Sequence, residues 1–224
     1  MPSVPPPSPR EIVCFDLGGV LIRICHSWEE ACRRANLSPP NADPATAAAR
    51  RALFVRHERG ELALDAWAEA MARLDGTHTP DELRRAHAAI CIGEEPGAAA
   101  LVDDLHEAGM STAALSNTNE AHWLRLVHRD GTRPLDGPPE YPAVARLHYA
   151  WASHRLGVAK PEPAIYEQFE ALSGVRGRGV VFFDDRAENV AAALDRGWRA
   201  ERIDRDRDSI AQIRARLRHE GVLR

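Results

Sequence analysis

The chain has 224 residues, a formal net charge of −4 and a pI near 6.2, a balance that argues against nucleic acid as a partner because phosphate-backbone binding leaves a basic excess. Hydrophobic residues make up 44% and charged residues 28%. That is ordinary for a globular protein, and the length suits one large domain or a core with an insertion. No segment approaches the ~20 apolar residues of a membrane span, so no membrane partner is expected.

Residues 1–10 contain five prolines and no apolar signal-like run, and read as a disordered tail. Cys14, Cys25, Cys32 and Cys91 form no C-x-x-C pair and have no histidine at zinc spacing. Free thiols in a reducing, cytoplasmic compartment are the expectation.

The first apolar run, residues 12–15, reads as a buried strand. It delivers Asp16 to a turn at Gly18-Gly19, after which apolar character resumes. A carboxylate in that position is a candidate nucleophile. Residues 27–35 and 45–74 have helical composition, and Gly60 divides the second stretch into two helices. Thr79 suits an N-cap and Pro80 a first helical position, with a helix over residues 81–89. A helical block directly after the Asp16 turn reads as a small cap inserted into a core domain.

Beyond Pro96 the pattern alternates. A helix over residues 98–108, closed by Gly109, leads to a strand over 111–115 that ends in Ser116-Asn117-Thr118-Asn119. Residues 131–142 are proline-rich and read as a loop, and residues 150–156 read as helical or mixed. Lys160-Pro161-Glu162-Pro163 precedes a helix over 164–172. The strand over 179–183 runs into Asp184-Asp185, and helices over 188–196 and 208–218 follow. Strands alternating with helices predict an α/β fold, a parallel sheet with helices on both faces. Ligands in such sheets bind at the carboxyl ends of the strands, where Asp16, Ser116-Asn117 and Asp184-Asp185 all fall.

Carboxylates from two strand ends repel unless a cation lies between them. Mg²⁺ takes one or two carboxylates together with a phosphate oxygen. Asp16, Asp184 and Asp185 supply such carboxylates, and the glycine turn admits a backbone carbonyl. Asp184-Asp185 equally suits a helix N-terminus. Ser116 and Asn117 offer donors to an anion, or form an ordinary Asx turn. Lys160, held extended by Pro161, is either a site cation or a solvated lysine.

In combination the motifs resemble a family. Phe15-Asp16-Leu17-Gly18-Gly19-Val20, Leu115-Ser116-Asn117-Thr118-Asn119, Lys160-Pro161-Glu162-Pro163 with Ile165-Tyr166, and Phe182-Phe183-Asp184-Asp185 through Asn189-Val190 look like the four ordered motifs of haloacid dehalogenase-like (HAD) hydrolases. His57-Glu58-Arg59-Gly60-Glu61, with Glu140-Tyr141-Pro142 before Ala152-Ser153-His154, is similar to the bacterial α-D-glucose-1-phosphate phosphatase branch. The resemblance implies a Rossmannoid core over residues 11–23 and 95–224 and a helical cap over 24–94. It implies a phosphatase of a small phosphorylated metabolite such as a sugar phosphate; a monomer or homodimer is the expected state. Asp16 would form an aspartyl-phosphate, with Mg²⁺ held by Asp16, the Gly18 carbonyl and Asp185, and Asp184 as a further ligand or just behind. Ser116, Asn117 and Lys160 would bind the phosphoryl group.

Most phosphatases of this superfamily carry an acid/base Asp two residues after the nucleophile. Here that position is Gly18, as in the glucose-1-phosphate branch, and His26, His57 and Glu58 are the candidate substitutes. His57, Glu58 and His122 are candidate substrate contacts, while Trp123 suits the core. Two alternatives stand beside the phosphatase: a dehalogenase in which Asp16 displaces halide, and a phosphometabolite-binding module without turnover.

Overall fold

The strand β1 (Ile12–Phe15) is buried at all four residues. Its side chains alternate between two apolar layers. Val13 and Phe15 pack with Leu101, Leu105 and Ile213, whereas Ile12 and Cys14 pack with Ile165, Tyr166 and Phe169. A strand apolar on both faces is stable only inside a sheet covered on both sides.

The computed structural model describes residues 11–40, 43–126 and 140–224. The expected tail at 1–10 and most of the expected loop at 131–142 lie outside them. After β1 come β2 (Ile22–Ile24), the helices α1 (Trp28–Arg34), α2 (Pro44–Glu58), α3 (Leu64–Asp75) and α4 (Pro80–Ala88), then β3 (Cys91–Glu94). The chain continues through α5 (Ala98–Glu107), β4 (Ser111–Ser116), α6 (Glu120–Leu126), α7 (Pro142–Arg146), β5 (Tyr149–Ala152), α8 (Ser153–Leu156) and α9 (Pro163–Ser173). It closes with β6 (Val180–Asp184), α10 (Ala187–Asp195), β7 (Arg199–Arg202) and α11 (Ser209–His219).

The main sheet has the order β5-β4-β1-β6-β7, with every pairing parallel. Phe15 is in register with both Ala114 and Phe183, and the Asp16 N–H extends the ladder to the Phe183 carbonyl at 2.8 Å. One residue further along that register, Asp16 stands level with Asp184. Parallel pairing thus puts the polar ends of β1, β4 and β6 on one edge.

Between β2 and β3, which pair antiparallel, α1–α4 form a helical excursion with its own apolar cluster of Trp67, Ala68, Met71 and Leu83. Thr79 caps α4 as the sequence suggested. Its hydroxyl accepts from Glu82 N–H, and the Glu82 carboxylate accepts from Thr79 N–H. The sequence reading differs from the structure at the short strands. Residues 149–152 form β5 before the one-turn helix α8, and β2, β3 and β7 were not anticipated. The four cysteines are free thiols. No helix among the described residues is long and apolar enough to cross a membrane.

Candidate active site

The turn after β1 is tightly folded. The Leu17 carbonyl accepts from the N–H groups of Val20, Leu21 and Ile22, and Gly19 N–H donates to the Ile22 carbonyl at 2.8 Å. Gly19 has φ +75°, and a Cβ there would lie 2.9 Å from Asp185 Oδ2. Only glycine lets the turn pass that close to the carboxylate of the neighbouring strand end.

Lys160 joins the two buried carboxylates. Its Nζ donates to Asp184 Oδ2 at 2.6 Å and lies 3.2 Å from Asp16 Oδ1. Burial opposes its charge, but Asp16 and Asp184 outweigh that and hold the ammonium protonated above its ordinary range. Asn117 fixes the lysine's backbone: its Oδ1 accepts from Lys160 N–H and its Nδ2 donates to the Lys160 carbonyl, both at 2.8 Å. The amide of Asn117 is therefore spent on positioning Lys160, while Ser116 and Asn117 both line the cleft.

Asp184 is fully buried. Its Oδ1 accepts from Arg186 N–H at 2.9 Å and Asn189 Nδ2 at 3.0 Å, and its Oδ2 accepts from Lys160 Nζ and from Asn189 Nδ2. Both oxygens of Asp184 are thereby engaged by protein donors. Asp185 has fewer partners, with Arg205 Nη1 3.6 Å from its Oδ2. Ligand atoms of Asp16, Asp184 and Asp185 all lie within 4.8 Å of one another. With one lysine among three carboxylates, burial pushes the Asp16 carboxyl up from 3.8 to about 7, Lys160 opposing and Asp184 and Asp185 adding to the rise. Burial and then Asp184 raise Asp185 as well. Such a site is short of positive charge, and its oxygen donors suit a hard divalent cation.

Two cavities open beside this cluster. The larger, about 640 Å³, is lined by Asp16, Gly18, Ser116, Asn117, Asp185 and Arg186 among others. The smaller, about 180 Å³, lies between the helical excursion and the sheet edge and is lined by Phe54, Glu58, His87, Asn119 and His122 among others.

Of the sequence-derived candidates, Asp16, Gly18, Ser116, Asn117, Lys160, Asp184 and Asp185 converge. Glu58 lines both cavities and His122 the smaller one. His122 donates from Nε2 to the His87 carbonyl at 2.9 Å, and burial lowers its pKa to about 4. His57 reaches neither cavity. Its Nδ1 donates to the Leu62 carbonyl at 2.6 Å and its ring stacks on Trp67. His26 lies on the outer rim, 3.5 Å from Asp206. Trp123 is 2% exposed and belongs to the core. Sequence reading gave no role to Asn189, Arg205 or Ser153. Asn189, five residues beyond Asp184 on the helix that follows it, and Ser153 stood inside the motifs that carry the resemblance without a role, whereas Arg205 carried no signal.

The fold is similar to that of a HAD family enzyme of Bacteroides thetaiotaomicron solved with magnesium and inorganic phosphate, with a TM-score of 0.69 at 19% identity over 88% of this chain and 96% of that one. A HAD-like family hydrolase of Porphyromonas gingivalis matches with a TM-score of 0.71 at 24% identity, over 93% and 98%. The L-2-haloacid dehalogenase of Xanthobacter autotrophicus matches with 0.55 at 22% identity, over 86% and 77%. The sequence model of the haloacid dehalogenase-like hydrolases covers residues 11–197, and the chain belongs to that family of hydrolases.

Proposed function

We propose that this protein is a Mg²⁺-dependent phosphatase acting on a small phosphorylated metabolite such as a sugar phosphate, through an aspartyl-phosphate on Asp16. The observation that carries this reading is the carboxylate cluster. Attack on carbon by a lone Asp needs no cation, whereas three carboxylates within 4.8 Å beside a polar cavity suit a cation and a phosphoryl group together. The magnesium and phosphate bound to the Bacteroides enzyme support the same reading.

Asp16, the Gly18 carbonyl and Asp185 are the residues proposed to hold Mg²⁺. Asp184, with both oxygens already bonded, stays behind them and anchors Lys160. When bound, the ion neutralises charge on the phosphoryl oxygens. Asp16 attacks phosphorus, the bond to the leaving oxygen breaks, and water later releases phosphate. Lys160 and Ser116 meet the transferring oxygens, where preorganised donors stabilise developing charge. The helices α1–α4 act as a cap, and the free thiols support a cytoplasmic location.

The test is phosphate release from a panel of phosphate monoesters that includes glucose 1-phosphate. Wild type with Mg²⁺ is expected to turn over at least one member, and neither wild type in EDTA nor Asp16→Asn should do so. A wild type inactive on the whole panel, or Asp16→Asn retaining activity, overturns the reading.

A further inference from the structure

The two cavities meet along a narrow seam. The residues lining both are Gly18, Ile24, Glu58, Ser116 and Asn117. If the phosphoryl group occupies the larger chamber beside Asp16, and the rest of the substrate the smaller one, the bond that breaks crosses this seam. Two of the five side chains, Gly18 and Ile24, have no polar group. Ser116 and Asn117 carry neutral groups that hold their protons at physiological pH. Glu58 alone carries a carboxyl.

The backbone that carries Glu58 is anchored to the core. It is the last residue of α2, and it and the next two residues meet the core at α8 and at the loop before α9. The Glu58 carbonyl accepts from Ser153 Oγ at 2.5 Å, and the same Oγ accepts from Thr118 N–H at 3.0 Å, just beyond Asn117. Arg59 Nη2 donates to Glu162 Oε1 at 2.7 Å, and that oxygen also accepts from Ala159 N–H, next to Lys160. Gly60, at φ +74°, lies so near His154 that a Cβ would approach the His154 carbonyl oxygen to 2.5 Å. Residues 58–60 are thus tied to both loops that carry the phosphoryl-binding groups.

We infer that Glu58 is the general acid and base of the reaction, contributed by the helical excursion in place of the side chain missing at Gly18. This rests on the phosphatase reading. In the first half-reaction an Asp16 oxygen bonds to phosphorus, the phosphorus–oxygen bond to the leaving group breaks, and that oxygen takes the proton of the Glu58 carboxyl. In the second, Glu58 as carboxylate takes a proton from water while the water oxygen attacks phosphorus. The bond from Asp16 to phosphorus breaks, phosphate leaves, and both carboxyl groups return to their starting states.

The surroundings favour the protonated form needed first. Burial raises the Glu58 pKa against the opposing charges of Arg186 and Lys160. Its place at the carbonyl end of a 15-residue helix disfavours a negative charge in the same direction.

The experiment compares wild type, Glu58→Gln and Glu58→Asp with Mg²⁺, using one aryl phosphate, whose leaving oxygen departs without a proton, and the best alkyl phosphate of the panel. Rapid-quench measurement of the first turnover isolates the first half-reaction. In Glu58→Gln this step is expected to fall ~10²–10⁴-fold for the alkyl phosphate, the usual worth of a positioned acid, and by less than about tenfold for the aryl phosphate. The aryl reaction then shows a burst of released phenol followed by slowed steady turnover. The alkyl rate of wild type should decline at high pH, and that decline should vanish in Glu58→Gln. Glu58→Asp, which keeps the carboxyl, should recover part of the alkyl rate, and it carries the test if the glutamine variant does not fold. Equal losses on both substrates, an unchanged alkyl rate, or no recovery by Asp would overturn the assignment. Wild type inactive on every ester would instead bring down the phosphatase reading, and this role with it.

Discussion

Replacing Asp16 by Asn should stabilise the metal-free protein, and by more as the pH rises. The folded protein holds the Asp16 pKa at about 7 against 3.8 for the free side chain, mainly because the carboxylate is desolvated. Below pH 4 both folded and unfolded chains keep the proton, and the group contributes no difference. Between there and pH 7 the folded state binds a proton that the unfolded chain has lost, so stability falls with rising pH. Each unit corresponds to about 1.4 kcal/mol, giving a cost of about 4 kcal/mol once the pH exceeds 7. Asn has no proton to lose at this position. Urea unfolding of both proteins in EDTA should show the gain of Asp16→Asn over wild type growing by about 3 kcal/mol between pH 5 and pH 8, the two units below 7 that the interval spans. Saturating Mg²⁺ should narrow the gap at pH 8, since it stabilises only the protein that binds it. A gain that is flat in pH, or that shrinks as pH rises, would refute the account of Asp16 as a desolvated charge awaiting a cation.

Two more predictions test the frame around this residue. Lys160→Met removes the ammonium between Asp16 and Asp184, and breaking such a buried pair costs about 3–5 kcal/mol. A thermal melt in EDTA should show the larger loss at pH 8 and a smaller one at pH 5, where Asp16 takes up a proton; equal losses at the two pH values would refute this. Gly60→Ala forces a Cβ toward the His154 carbonyl at a positive φ, which should cost about 1–3 kcal/mol and lower kcat by displacing Glu58; an unaltered melt and kcat would refute the close approach.

The strands that carry the chemistry were legible because they are apolar throughout. Residues 12–15 and 180–183 are runs of β-branched, aromatic and cysteine side chains, as burial on both faces requires. The helices of the excursion announced themselves through punctuation, Gly60 between two of them and Thr79-Pro80 before a third. The short strands were hidden for identifiable reasons. The edge strand β7 reads Arg-Ala-Glu-Arg, and charge on an edge protects against aberrant pairing while erasing the apolar signal. β5 passes directly into α8 at Ala152–Ser153, with no turn residue to mark the change. In the site, residue types at strand ends pointed to Asp16 and Asp185 without the fold. The engagement of Asp184 by Lys160, Arg186 and Asn189 depends on register, which no local pattern encodes.

Gly18 acquires a further meaning from its neighbour. A Cβ at residue 18 would lie 3.0 Å from Ile24 Cδ1, so any side chain there would press on an aliphatic neighbour. The contact is with the tip of a flexible side chain, which yields by a few tenths of an ångström, so the two positions are coupled only weakly. A larger residue at 18 is accommodated when Ile24 changes rotamer or becomes smaller. Packing against Ile24 therefore biases residue 18 toward glycine without forbidding a larger side chain.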